Sequence, residues 1–265
     1  MVEKANADGT KETYEYDKVG NVIKQVSITC AVTTYTYDER NRNTSITDTY
    51  GNTTTSTYDE AARLTGRTDA EGNTTTYEYD DNGNLTKTIY ADGTSVTSKY
   101  DARNRVIRQE DQYGNETLYE YDGSDNLTKV TDAYGNSYNY EYDLHSNLIT
   151  IMDSVGHRTF YTYDEAGRVK TITPEREYGH AYDYDGAGNI ICDYGPRGVA
   201  TTYTYDNMNR MTEKMVGTEK TSFTYNEEGL LAEVTDKTGT ISYQYDRYNC
   251  LIKLSDVWGI ELTYT

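Results

Sequence analysis

Thr74-Thr75-Thr76-Tyr77-Glu78-Tyr79-Asp80-Asp81-Asn82-Gly83-Asn84-Leu85 is the stretch on which the fold turns. Its first half alternates with period two in a run rich in threonine and tyrosine, the pattern of a half-buried β-strand with one tyrosine face and one wet face. Its second half reads as a tight turn. Asp80 opens it with an oxygen able to accept backbone N–H bonds, and Gly83 supplies a residue that tolerates positive φ. Leu85 then begins a second strand.

The same unit returns along nearly the whole chain. The Tyr-Asp step stands at Tyr16-Asp17, Tyr37-Asp38, Tyr58-Asp59, Tyr79-Asp80, Tyr100-Asp101, Tyr121-Asp122, Tyr142-Asp143, Tyr163-Asp164, Tyr184-Asp185 and Tyr205-Asp206, always 21 residues apart. Two steps of 20 follow, to Tyr225-Asn226 and Tyr245-Asp246. A fixed period of this length means one small supersecondary unit copied end to end.

Alignment by phase gives each unit its grammar. Two residues before the step tyrosine stands another tyrosine in nine of twelve units, replaced by Phe223, Ser56 and Ser98 in the others. Four residues after it comes Gly or Asn in nine of twelve units, with Ala62, Asp125 and Ser146 as exceptions. Six residues after it comes an aliphatic residue or Met211, broken only by Asn43. A second Asp-x-x-Gly turn recurs half a repeat later at Asp48–Gly51, Asp69–Gly72, Asp111–Gly114, Asp132–Gly135 and Asp236–Gly239. Each unit is therefore strand, turn, strand, turn, and the chain is predicted to be an all-β antiparallel hairpin meander of about two dozen short strands. Residues 1–265 read as a single array, its ends in phase with the repeat as in a segment of a longer protein: Asp8-Gly9-Thr10 is the tail of an earlier unit.

An open sheet of more than about ten strands is expected to curl or split. At about 4.8 Å per strand, successive units advance about 10 Å, too far for their rings to stack directly. The array should therefore curl into a spiral, an arc or a partial shell. The aliphatic residues should fill the gaps in a tyrosine ladder on the same face as the step tyrosines. Two stretches depart from the pattern: Thr173-Pro174-Glu175-Arg176-Glu177-Tyr178-Gly179, with its glycine displaced, and Tyr194-Gly195-Pro196-Arg197-Gly198. Both read as altered turns on one rim.

Composition excludes several functions. The chain has 30 tyrosines but two phenylalanines and one tryptophan, so burial has to come largely from tyrosine rings. Net charge is −19, with 25 basic and 44 acidic residues, which argues against nucleic-acid binding through phosphates. No apolar run is long enough for a membrane-spanning helix, and Met1–Thr13 is polar rather than a secretory leader. Cys30, Cys192 and Cys250 fall in different phases and make neither a disulfide framework nor a metal spacing; small buried or half-buried residues are expected there. His145, His157 and His180 also differ in phase. No nucleophile–base order, zinc-helix motif or phosphate loop is present. No catalytic residue, metal site or cofactor is expected. The sequons at Asn52, Asn73, Asn84, Asn115 and Asn126 follow from turn grammar. Tyr50, Tyr113 and Tyr134, in second turns, are the candidates for stacking on sugar rings.

The unit Tyr-x-Tyr-Asp-x-x-Gly-Asn-Leu-Thr-x-x-x-Asp-x-x-Gly-Asn, nearly whole from Tyr77 and from Tyr119, resembles the YD repeat of the Rhs family. The resemblance covers essentially all twelve units. It implies a β-sheet that spirals into a hollow shell, as in bacterial polymorphic toxins, insecticidal toxin cocoons, wall-associated proteins and teneurins. It further implies a secreted or cell-surface parent protein, an enclosed C-terminal domain or neighbouring repeats as partners, and an association of such repeats with carbohydrate. Unpaired sheet edges add edge-to-edge self-association as an expectation. The Pro- and Gly-rich core linked to self-cleavage in many toxin shells has no counterpart here, so neither self-cleavage nor toxicity is expected of this chain.

Overall fold

The structure, a computed structural model, describes residues 2–5, 11–195 and 198–264. The segment Asp8-Gly9-Thr10, Pro196, Arg197 and Thr265 lie outside the described residues. Among the described residues there are 26 strands and no α-helix. Each strand of the first hairpin type ends on a step tyrosine, as in Lys11–Tyr16, Val32–Tyr37 and Thr74–Tyr79. Each following strand starts at the aliphatic position, as in Val22–Val26, Leu64–Thr68 and Leu85–Ile89.

Two compact units are distinguished. One comprises Met1–Glu120 and Lys129–Asn136, the other Tyr121–Thr128 and Ser137–Thr265. In the first, every strand from Val2–Ala5 to Glu116–Tyr121 pairs antiparallel with its neighbour in sequence, as at Glu15↔Lys24, Lys24↔Thr34 and Arg108↔Leu118. In the second, the same meander runs from Ser137–Tyr142 to Glu261–Thr263, as at Glu141↔Thr150, Thr150↔Phe160 and Lys253↔Thr263.

The first turn follows one geometry throughout. In the first unit, Gly20 N–H donates to the Asp17 carbonyl and Asp17 N–H donates to the Asn21 carbonyl at 2.9 Å, which closes a short loop with a left-handed residue at its end. That left-handed residue has positive φ in all twelve units, including Ala62 (65°), Asp125 (69°) and Ser146 (64°), where the residue type alone does not demand it. A left-handed alanine costs about 1–2 kcal/mol. Ala62→Gly is therefore expected to raise stability by about 1 kcal/mol, because relief of that strain outweighs the extra freedom glycine gives the unfolded chain. A denaturant midpoint equal to or below that of the parent chain would contradict it.

The strand register shifts by one residue just before the step tyrosine. The bulge lies between Glu15 and Tyr16 in the first hairpin and recurs between Thr57 and Tyr58 and between Glu141 and Tyr142. Across it, Tyr16 partners Val22, Tyr58 partners Leu64 and Tyr142 partners Leu148. Cross-strand partners share a face, so the aliphatic residues do lie with the step tyrosines.

Four local departures have physical causes. The 20-residue steps arise because Val216↔Glu219 and Asp236↔Gly239 close two-residue loops, where other units use one residue more. Asp236–Gly239 is thus a shorter turn than its Asp-x-x-Gly spelling indicates. Gly179 is not a left-handed turn residue: a Cβ there would lie 2.3 Å from the Ile172 carbonyl oxygen, so glycine permits close backbone approach. Pro174 sits at the end of the strand Val169–Pro174, and Glu175 N–H extends the pairing to the Arg158 carbonyl at 2.7 Å. Finally, Cys192 is buried at 8% exposure, but Cys30 and Cys250 are exposed in turns, so only one cysteine packs as expected.

Packing is shallow. Among the described residues the buried side chains are Cys192 and Thr150, the latter 6% exposed, and no large side chain is fully enclosed. Stability must therefore come from the hydrogen-bonded ladder, from half-buried rings, and from side-chain bonds that tie one hairpin to the next.

Candidate functional site

The side chains that recur in every unit build two structures. The first is a tyrosine staple. The ladder between Val22–Val26 and Val32–Tyr37 ends at Lys24↔Thr34, which leaves the Val22 carbonyl beyond its reach. The Tyr37 hydroxyl donates to it at 2.8 Å. The same bond joins Tyr58 to Asn43, Tyr79 to Leu64 and Tyr100 to Leu85 in the first unit, all at 2.8–2.9 Å. In the second it joins Tyr142 to Leu127, Tyr163 to Leu148, Tyr184 to Val169 and Tyr205 to Ile190. Tyr225 and Tyr245 reach Met211 and Leu231, 14 rather than 15 residues back, because the preceding turns are shorter. These ten step tyrosines thus each cap an orphaned carbonyl on the previous hairpin. Burial pushes the hydroxyls of Tyr37, Tyr79, Tyr142, Tyr163 and Tyr205 above the usual tyrosine range.

The second structure is a clasp around each turn aspartate. One carboxylate oxygen of Asp59 accepts the Arg63 N–H, and the other accepts the Arg63 side chain at 2.7 Å. Where the unit carries Asn in place of Arg, the amide does the same, as in Asn84 to Asp80 at 3.0 Å. The clasp then continues into the next hairpin. Arg42, Arg63 and Arg168 donate to the carbonyls of Asp59, Asp80 and Asp185. Their guanidiniums lie 4.9, 4.9 and 4.5 Å from the ring centres of Tyr58, Tyr79 and Tyr184. Asn21, Asn84 and Asn189 instead donate to the side chains of Asn41, Asn104 and Asn209. This position, five residues after the step tyrosine, is the Asn of the repeat motif, and Asn or Arg stands there in ten of twelve units, but its bonds to the turn aspartate and to the next hairpin are not spelled by the sequence.

The remaining candidates separate from one another. His180 Nδ1 lies 2.8 Å from Asp193 on the tyrosine face, while Cys192, next in sequence to Asp193, points to the other face with Asp183 and Tyr194. The Tyr194 hydroxyl, bonded toward Cys192 and Asp183, is pushed up to about 12. A cysteine–histidine pair is thus not assembled there. His157 takes the place of a clasp asparagine, 3.2 Å from Asp153. The sequon amides are occupied by turn carboxylates, as in Asn52 to Asp48 and Asn115 to Asp111. Among the described residues no group of three His, Cys, Asp or Glu side chains is placed to hold a metal, and no helix is long and apolar enough to cross a membrane. Tyr50, Tyr113 and Tyr134 are 87, 80 and 86% exposed at the tips of second turns. Trp258, at the same phase and 82% exposed, was not singled out by its sequence context.

The recurrent side chains therefore define a class: a hairpin-repeat scaffold whose signature residues hold one hairpin to the next. Residues 58–95 and 100–137 match the RHS Repeat family, and residues 182–258 match the Teneurin YD-shell family. The chain belongs to the Rhs/YD-repeat family. No curated protein matches the sequence. Among solved structures, the Tc holotoxin pore of Photorhabdus luminescens superposes over 92% of this chain with a TM-score of 0.60 at 14% identity. A crystal structure of TcdB2-TccC3-TEV covers 95% of this chain at 13% identity and a TM-score of 0.41. The chain spans 19% and 22% of the length of those two chains. At such identities the likeness of the first is one of fold.

Proposed function

We propose that the chain works as a wall segment of a β-shell that encloses or presents another polypeptide domain, without catalysis of its own, outside the cell. The observation that carries this reading is the staple. Within each of the two units, tyrosine hydroxyls bond one hairpin to the one before it, so that the residues repeated most strictly are committed to continuity of the sheet. The reading treats residues 1–265 as one array that curls to form part of the wall. The shallow packing supports it: a sheet one layer thick with no fully enclosed side chain covers something better than it encloses a core of its own. The Tc toxin likeness supports the choice of a toxin-like domain as the partner.

Protease protection tests the proposal. The natural polypeptide that carries the array is digested alongside a sample unfolded in denaturant and diluted into the same protease. A segment outside the repeats is expected to survive only while the array is folded. Digestion of every such segment at the rate of the free peptide would sink the reading.

A further inference from the structure

The two turn rims of the unit containing Met1–Glu120 and Lys129–Asn136 differ in charge. First turns, except the one at 80–84, carry their own counter-charges in Lys18, Arg40, Arg42, Arg63, Arg103 and Arg105. The six second turns (27–31, 48–52, 69–73, 90–94, 111–115 and 132–136) contain Asp48, Asp69, Glu71, Asp92, Asp111 and Asp132 and no lysine or arginine. Three of them also raise a tyrosine ring at least 80% exposed, and in Tyr113 and Tyr134 these stand on successive second turns. Their repeated position, on turns that carry carboxylates and no lysine or arginine, sets these rings apart from exposed apolar residues scattered singly over the surface.

Between the turns bearing Tyr113 and Tyr134 runs a groove of about 470 Å³ lined by Asn115, Glu116, Leu118, Thr131 and Asp132. A groove of about 450 Å³ occupies the same phase between the turns at 69–73 and 90–94, lined by Asn73, Thr75, Tyr90 and Asp92. The first groove offers an apolar patch in Leu118, 42% exposed, and carboxylates at Asp132 and Glu116, the latter shared with Arg108. The Asn136 amide and two backbone N–H groups hold the Asp132 carboxyl below the usual carboxylate range, so it keeps its charge at neutral pH.

We infer that the second-turn rim of this unit is a docking strip for an extended lysine- or arginine-rich polypeptide segment, with cationic side chains set over the Tyr113 and Tyr134 rings and into the groove beside Asp132. Charge complementarity decides the occupant. A tyrosine ring attracts a cation through its quadrupole, and a row of carboxylates without counter-charge adds a field of the same sign preference. A long basic side chain also matches the groove, with its methylene stem on Leu118 and its charged head at the carboxylate. A neutral sugar would use the rings but gain nothing from the carboxylates, and an acidic glycan would be repelled by them.

The test uses isothermal titration of the whole chain with a twelve-residue oligolysine peptide, and with maltohexaose as the neutral glycan. The peptide is expected to bind, more weakly as salt rises from 50 to 300 mM. Tyr113→Ala/Tyr134→Ala should weaken it by about five- to thirtyfold, the loss of two exposed cation–ring contacts. Both rings project from turns, so the double variant should keep the parent melting temperature, measured on the same sample. Asp132→Asn, which retains the turn's acceptor oxygen but not its charge, should weaken binding as well. Glu60→Gln/Asp81→Asn on the opposite rim should leave it unchanged. Absence of peptide binding would overturn the inference. So would equal losses from the two rims, which would mark diffuse attraction to a chain of net charge −19. Binding of maltohexaose that needs Tyr113 and Tyr134 would assign the rim to glycans instead.

Discussion

Tyr163→Ala is expected to cost about 3 kcal/mol, while Tyr163→Phe costs about 1 kcal/mol and Tyr134→Ala less than about 0.5 kcal/mol. The Tyr163 ring is half-buried beside its register partner Val169, and its hydroxyl donates at 2.7 Å to the Leu148 carbonyl on the preceding hairpin. Loss of the hydroxyl alone leaves that carbonyl to water or to no partner. Loss of the ring also strips apolar contact from both hairpins. Tyr134 is 86% exposed and reaches no carbonyl staple, so it controls for a change of tyrosine as such. In a repeat array, energies act between nearest neighbours, so the damage should be local. Hydrogen exchange is expected to quicken first at amides of Leu148–Met152 and Arg158–Tyr163. Denaturant midpoints for the three variants check the order. A Tyr163→Phe variant as damaged as Tyr163→Ala would mean the bond dominates the ring, and a Tyr134→Ala variant equally damaged would remove the staple from the account.

The staple also shows where the sequence was legible. Strand phase and turn position could be read residue by residue because they depend on local chemistry: Thr and Tyr alternate in a strand, and a left-handed residue must sit where the loop closes. The reading held even at Ala62, Asp125 and Ser146, where the backbone overrides an unsuited residue. What could not be read is the reason for the tyrosine. Its partner lies 15 residues back, and the need for it arises from a ladder that stops two residues short of Val22 or Leu148. That need is a property of two hairpins together and has no signature within one. The clasp is intermediate. Asn21 or Arg63 is frequent enough at its phase to be noticed, but its role appears only when Asp17 or Asp59 is seen to spend one oxygen on the backbone and one on that side chain. Gly179 and the paired Pro174 needed the backbone itself, since neither close approach nor an extended pairing is spelled by residue type.

Two kinds of bond link one hairpin to the next, and they respond differently to their surroundings. The staple is a neutral bond from a half-buried ring and should be insensitive to salt. The arginine version of the clasp combines an ion pair, as between Arg168 and Asp164 at 2.7 Å, with a ring contact to Tyr184, and part of it is screened by salt. The asparagine version carries no countercharge to its aspartate and depends on hydrogen bonding alone, as between Asn189 and Asp185. A wall built of such units can vary its composition at one position without changing its register, because both side chains reach the same carboxylate oxygen.

Acid is therefore expected to loosen the array at many turns at once. Hydrogen bonds from the Arg42 backbone and side chain hold Asp38 below the usual carboxylate range, and Asp59 and Asp164 are lowered by the same bonds from Arg63 and Arg168. Side-chain bonds from Asn73 and Asn147 lead the lowering at Asp69 and Asp143. A carboxyl whose folded pKa lies below its unfolded value stabilises the fold at pH above the unfolded value, and that contribution disappears as pH falls through the folded value. With an unfolded Asp pKa of about 3.9, stability should be level from pH 7 to about 5 and drop steeply below about 4, with uptake of several protons on unfolding. Asp164→Asn separates the charge from the turn. The amide oxygen can still accept the N–H groups of Ala166 and Arg168, but the NH2 group that replaces Oδ2 cannot accept from the Arg168 guanidinium, so that bond is lost together with the charge. The variant should be less stable than the parent at pH 7, and the gap should narrow as pH falls through the lowered folded pKa of the parent carboxyl. Urea midpoints of both proteins across this range read the difference directly. A gap that stays constant with pH would show that the carboxylate's charge is irrelevant to the clasp, and a parent array whose midpoint is unmoved at pH 2.5 would show that its turns do not depend on ionised aspartate at all.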